Sequence, residues 1–133
     1  MYILIVGCGK AGSYLANSLS KKGEEVVVID KKESAFNNLT SEFTGFTLLG
    51  DATEFEILEE AKIEQADVVV ATTTNDNVNS MIAQIAKEIF GISKVLARVF
   101  APRREEIYRQ MEIDTVCPTT LSVMEFERAI FDS

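Results

Sequence analysis

Short, uninterrupted runs of β-branched and aliphatic residues recur along this chain, with helix-spaced segments between them. Strands are expected at Ile3–Val6, Val26–Ile29, Phe46–Leu49, Val68–Ala71, Val95–Ala97 and Thr115–Cys117. Continuous hydrophobicity, rather than alternation, suits parallel strands covered on both faces. The clearest helical segment runs from Asn77 to Phe90, where Val78, Ile82, Ile85 and Ile89 recur on one face. Gly23, Gly45 and Gly91 stand where helices should stop. Pro102 and Pro118 each precede a helical pattern, where a missing N–H costs little. Strict strand–helix alternation implies right-handed crossovers, so the expected fold class is α/β, a doubly wound parallel sheet of six strands.

The chain has 133 residues, which suits one domain with one core, since domains commonly run ~100–150 residues. No linker, repeat or low-complexity tract interrupts it. Its 21 acidic residues outnumber 13 basic ones, and the resulting charge of −8 disfavours nucleic acid as a partner. Histidine is absent, which removes the commonest general base and the commonest neutral metal ligand. Cys8 and Cys117 lack the spacing of a metal site or a disulfide framework and read as small buried thiols. The start of the chain has no basic leader, and no window approaches the ~18 apolar residues of a membrane span. The expectation is an intracellular, cytoplasmic protein whose membrane role, if it has one, runs through a partner.

Gly7-Cys8-Gly9-Lys10-Ala11-Gly12 forms a G-x-G-x-x-G, weak by itself but here in a telling context. It follows a strand, opens a helix and precedes an acidic residue. Gly7 permits the tight turn, Gly9 lets a phosphate approach the backbone, and Gly12 lets helix and strand pack closely. First-turn N–H groups and the helix dipole then face the anion. Asp30 ends the second strand 18 residues after Gly12, placed to accept both hydroxyl protons of a ribose and to repel a 2′-phosphate. Lys10 suits a cation reaching a phosphate. Lys31 reads either as a ribose or phosphate contact or as an exposed lysine.

Three further groups fall at strand ends. Gly50-Asp51-Ala52-Thr53 closes the third strand and is expected to begin the next helix. Asp51 reads there as a cap, or as an acceptor for the exocyclic amine of adenine. The polar stretch from Thr72 through Thr73 and Asn75 to Asn79 reads as a ligand contact or as the cap of the long helix. Arg98 ends the fifth strand after Val95-Leu96-Ala97, an odd place for mere solubility, and favours an anion or intersubunit role.

Taken together, the glycine loop, Asp30, Gly50–Thr53, Asp67–Thr72, Asn79, Lys94–Val99 and Ile113–Pro118 resemble the N-terminal nucleotide-binding half of RCK domains, regulators of potassium conductance, and especially TrkA/Ktr-type subunits. The resemblance covers essentially the whole chain. It implies a Rossmann-type domain over residues 1–118, followed by a crossover and dimerisation helix over 119–133. It also implies a cytoplasmic regulator that binds NAD(H), ATP, ADP or AMP. Such a regulator assembles, as dimers building to an octameric ring, beneath a membrane potassium channel or transporter. In that family Lys10 matches a loop position that often carries a basic residue facing phosphate, and Asp30 matches the ribose-binding acid. Asp51, Ala52 and Thr53 match the adenine-side loop, and Arg98 falls on an arginine near the ligand and dimer face. The sequence departs from the family at Thr119, where many relatives carry a glutamate. It also stops at Ser133, where most continue into a second subdomain. The chain then reads as a natural short subunit, with a separate RCK subunit carrying that subdomain as a partner, or as a piece of a longer chain.

Independently of the resemblance, seven of the eleven residues from Leu121 to Phe131 are apolar and wrap too wide an arc to be buried on one side. This favours association with a neighbouring subunit over a terminal helix lying on its own sheet. Two other functions compete with the regulator. One is an enzyme, a small NAD-dependent oxidoreductase or an S-adenosylmethionine-dependent methyltransferase. The other is a partner subunit with a vestigial site. No positioned acid–base residue stands out beyond the nucleotide contacts, so the chain reads as a non-enzyme with neither catalytic nor metal-ligating residues.

Overall fold

The computed structural model describes residues 1–132. Six parallel strands form one sheet in the order β3-β2-β1-β4-β5-β6. These are β1 (Tyr2–Val6), β2 (Glu25–Asp30), β3 (Phe46–Leu49), β4 (Val68–Ala71), β5 (Lys94–Arg98) and β6 (Asp114–Val116). The chain winds outward from β1 to β3, then crosses back to β4 and winds the other way. This places the topological switch point between β1 and β4, the position where open α/β sheets bind ligands.

One face of the sheet carries α1 (Lys10–Lys21) and a 3₁₀ segment, Glu33–Asn38. There Ile3, Ile5, Val26 and Val28 bury against Ala16, with Leu15, Leu19 and Phe36 around them. The other face carries α2 (Phe55–Glu60), α3 (Asp76–Gln84) and α4 (Glu105–Gln110). Leu58, Ile82, Ala83, Ala86 and Tyr108 there meet Leu4, Val6, Ile29, Val69 and Val95. Leu4 and Ile5 point to opposite faces and are both fully buried, so truncating either to alanine should cost about 2–5 kcal/mol.

Three local expectations fail for identifiable reasons. The long helix does not hold one register from Asn77 to Phe90: α3 passes into a π-helical stretch at Ile85–Ile89, where the Phe90 N–H reaches the carbonyl of Ile85. The extra residue in the turn rotates the stripe. Asn79, Ile82, Ala83 and Ala86 face the core at ordinary helical spacing, and beyond the shift Ile89 is 59% exposed. Gly23 and Gly91 do adopt the left-handed conformation expected after a helix, but Gly45 does not. No α-helix precedes Gly45, and its role is close approach, since a Cβ there would lie 2.2 Å from the Val26 carbonyl oxygen. The helix expected from Thr53 starts only at Phe55.

The last helix, α5 (Pro118–Phe131), has Pro118 in its first turn and no buried residue. A polar tie holds its start, where Glu105 accepts hydrogen bonds from Thr115 and Thr120. Leu121, Met124, Phe126 and Ile130 are all exposed, Phe126 at 69%. The alternative of a helix folded onto its own sheet is thus overturned. Among the described residues, no helix is long and apolar enough to cross a membrane.

Candidate functional site

Because all six strands run the same way, their carboxyl ends share one edge, and every site residue expected from the sequence lies there. Reading from β3 to β5, the order is Asp51, Asp30, the glycine loop, Thr72–Asn75 and Arg98. The glycine loop and the Thr72–Asn75 stretch flank the switch point directly.

Gly7 and Gly12 take the turn and close-packing positions that the spacing predicted. Gly7 has φ +107°, and a Cβ there would sit 2.8 Å from the Thr72 carbonyl oxygen. At Gly12 a Cβ would lie 1.9 Å from the Gly7 carbonyl oxygen, so any side chain would push α1 off the strand. Gly9 meets nothing within 4 Å; it is exposed and forms the open lip of the loop. Gly9 also caps α1 without any side-chain hydrogen bond, and no acidic residue stands in the first turn. First-turn N–H groups therefore face outward at the positive end of the helix dipole. Lys10 and Ala11 are exposed beside them, while Cys8 is buried. Burial, followed by the charge of Asp30, pushes the Cys8 thiol up to about 11.

Asp30 is pinned rather than free. One carboxylate oxygen accepts the Cys8 N–H at 2.8 Å, and the other accepts the Lys32 N–H at 2.8 Å. Each oxygen keeps lone pairs for a further donor. Across the loop, Asn38 donates from its amide to the Cys8 carbonyl at 3.1 Å, a contact that nothing in the sequence signals. Beyond Asp30, the Asp51 carboxylate accepts from both the Thr53 hydroxyl at 2.7 Å and the Thr53 N–H at 2.9 Å. Those bonds hold its carboxyl below the usual range, helped by the exposed Lys31. Asp51 thus closes a turn ahead of α2 rather than capping the helix. Ala52 is buried in the core, leaving Asp51 and Thr53 as the partly accessible side chains.

On the far side of the switch point, Asn75 caps α3 by accepting the Val78 N–H. The organising residue there is Asn79, fully buried. Its amide oxygen accepts the Thr73 N–H at 2.8 Å and the Thr73 hydroxyl at 2.7 Å. Its amide nitrogen donates to the carbonyls of Thr73 at 3.1 Å and Arg98 at 3.0 Å. The carboxamide thereby bridges the ends of β4 and β5. A usable signal existed in the sequence, because Asn79 shares a helical face with Ile82, Ala83 and Ala86. Arg98 reinforces the bridge, donating from Nη2 to the carbonyls of Thr72 at 3.0 Å and Thr73 at 2.7 Å. Its guanidinium lies 4.7 Å from the centre of the Phe100 ring, and burial lowers its pKa. Among the described residues, its Nε is buried without a partner.

Known proteins share this chain's sequence pattern and fold. Over all 133 residues the chain is 38% identical to the Trk system potassium uptake protein TrkA of Streptomyces coelicolor, and it spans 60% of that protein's length. The fold is shared with the TrkA-N domain of the inner membrane protein ybaL from Escherichia coli, at a TM-score of 0.85 and 21% identity, covering 98% of this chain and 96% of that one. It is shared also with the Shewanella denitrificans Kef CTD in its AMP-bound form, at a TM-score of 0.82 and 20% identity, covering 100% and 84%. The TrkA-N domain model matches residues 3–119, and with the doubly wound sheet and its glycine loop in place, the chain belongs to the TrkA-N domain family.

Proposed function

We propose that this chain is a regulatory, nucleotide-binding unit of a potassium transport system, not an enzyme. Its ligand is an adenine nucleotide, NAD(H), ATP, ADP or AMP, held at the carboxyl edge of the sheet. The observation that carries this reading is the uncapped N-terminus of α1, opening beside a carboxylate that the loop itself holds in place. Phosphate takes the N–H groups from Gly9 to Gly12 with Lys10 beside them, and the ribose hydroxyls donate to Asp30. Asp51, Thr53 and Lys31 stand on the adenine side. Thr72, Thr73 and Asn75 bound the other side, where Arg98 holds the Thr72 and Thr73 carbonyls in place. The AMP-bound form of the Shewanella Kef CTD, which has the same fold, supports this ligand class.

Regulation requires assembly, and a closed ring of unlike contacts needs two different surfaces on each subunit. The apolar side chains of α5 supply one. A shallow groove along α3 and its π-helical continuation, lined by Met81, Ile85 and Ile89, supplies the other. Residues 119–133 act in this reading as the crossover segment, and the ring sits on the cytoplasmic side of a membrane potassium channel or transporter. A nucleotide biases that ring only by binding its two states with different affinity.

Thermal-shift titration tests the ligand class. A ligand bound at about 100 times its dissociation constant stabilises the folded state by about 2.7 kcal/mol, so NADH, ATP or AMP should raise the midpoint measurably. Asp30→Ala should right-shift each titration. Stabilisation by S-adenosylmethionine alone, or titrations unchanged in Asp30→Ala, would refute the assignment.

A further inference from the structure

A cavity of about 640 Å³ lies at the opposite, amino edge of the sheet, far from the glycine loop. It exists because α2 has only six residues, Phe55–Glu60, about 9 Å of helix at 1.5 Å per residue, too little to cover the outer strands. Val27, Phe46 and Leu48 form an apolar floor, and Tyr2 forms a wall. Phe46, on the edge strand, is 74% exposed. The Tyr2 hydroxyl donates to the Ala61 carbonyl, fixing that wall. Burial, with the charges of Glu64 and Glu25, pushes the Tyr2 phenol up to about 12, so it remains neutral.

The rim around this floor is acidic. Glu24, Glu25 and Glu60 line it, with Lys62 as the opposing side-chain cation. Glu24 also pairs with the Met1 ammonium, and Asp67 stands close enough to act on that same ammonium. Carboxylates thus outnumber cations around this rim.

We propose that this trough docks a basic segment of a partner protein, with an apolar side chain of that segment seated over Val27, Phe46 and Leu48. Lysine- and arginine-rich loops flank membrane helices on the cytoplasmic side, so the membrane partner of the proposed function, on which this inference rests, presents such a segment. Anionic lipid headgroups are the wrong sign for this rim. The charge steers the encounter, and the apolar floor holds the anchor.

The test uses fluorescence anisotropy of the full chain with a short fluorescein-labelled peptide of alternating arginine and leucine. Binding should weaken with rising salt. The double variant Glu25→Lys with Glu60→Lys should weaken it by about tenfold or more. Phe46→Ser should weaken the arginine–leucine peptide yet leave a weaker arginine–serine peptide unchanged. All three positions are exposed, so these variants keep the fold. Amide exchange should also slow over residues 44–48 when the peptide is bound. Equal binding by the double variant, equal affinity for both peptides, or preferential sedimentation with phosphatidylserine vesicles would overturn the proposal. An AMP titration in the same samples reports the carboxyl edge separately, so failure of the nucleotide site and failure of this surface give different results.

Discussion

Replacing Asn79 with alanine isolates the network that ties β4 to β5. The side chain is fully buried and makes four hydrogen bonds, but the partners are not equally exposed to its loss. The Thr73 carbonyl keeps its 2.7 Å bond from Arg98, and the Thr73 hydroxyl keeps the Asn75 carbonyl. The Thr73 N–H and the Arg98 carbonyl lose the Asn79 carboxamide that bridges them. Each buried orphan costs about 1–3 kcal/mol, so the variant should lose roughly 2–5 kcal/mol. At an unfolding entropy of about 2.1 cal/mol/K per residue, a loss of about 3 kcal/mol lowers Tm by roughly 10 °C for a chain of this length. Differential scanning calorimetry reads this directly.

Asn79→Asp sharpens the same test. The carboxylate retains the acceptor for Thr73 but loses both donors and faces two carbonyl oxygens, so its folded-state pKa rises above the unfolded ~3.9. The folded state then holds a proton that the unfolded state releases. Stability relative to the parent is greatest below about pH 4 and falls as pH rises through the folded pKa. The Tm deficit should therefore be larger at about pH 8 than at about pH 5. A Tm for Asn79→Ala within about 2 °C of the parent, or a pH-independent deficit for Asn79→Asp, would refute the reasoning.

Arg98→Met should lower Tm by roughly 5 °C, because it removes charge-assisted bonds to two strand-end carbonyls and the guanidinium that lies against Phe100; an unchanged Tm would show that those interactions contribute nothing net. In a Cys117→Ser background, Cys8 should resist disulfide-exchange reagents at neutral pH, given its burial and its thiol held up to about 11. Because the folded state retains that proton, stability should be intact below the unfolded value of about 8.5 and decline as pH rises above it; native labelling at the rate of a free thiol would contradict this. Phe126→Asp, at a position 69% exposed, should lower the mass seen by light scattering without lowering monomer stability, and an unchanged mass would remove α5 from the interface.

How legible the fold was follows from what each segment has to bury. Runs such as Ile3–Val6 and Val26–Ile29 are enclosed on both faces, so their continuous β-branched character marked them to within a residue or two. The crossover between β2 and β3 was harder. Glu33–Asn38 forms only a 3₁₀ segment with no buried residue, and it leaves no helical stripe to read. At Ile85–Ile89 a true stripe misled, since periodicity assumes a constant turn and the π-helical stretch changes it.

The site divided in the same way. Spacing located the glycine loop and Asp30 at one edge of the sheet, because turn and strand end are local to the chain. Asn38 reaching the Cys8 carbonyl and Asn79 reaching the Arg98 carbonyl are long-range side-chain bonds to backbone, and no local pattern encodes them. Asn79 left one trace, a polar residue on an otherwise apolar face, and such a residue calls for partners because an unpaired buried amide is costly.

The net charge of −8 sits on a chain proposed to hold an anionic ligand. The two are compatible because parallel topology collects helix N-termini at one edge. Every crossover helix starts at the carboxyl edge and ends toward the amino edge, so N-terminal dipoles collect at one side of the sheet whatever the total. Lys10, Lys31 and Lys32 are exposed at that side beside Asp30 and Asp51, while Glu24, Glu25 and Glu60 surround the far cavity. With screening over about 8–10 Å at ordinary ionic strength, a phosphate at Gly9 responds to its own edge and not to the sum. What a phosphate at Gly9 meets is therefore decided by the helix N-terminus and the side chains around it, and the chain's total charge enters only weakly.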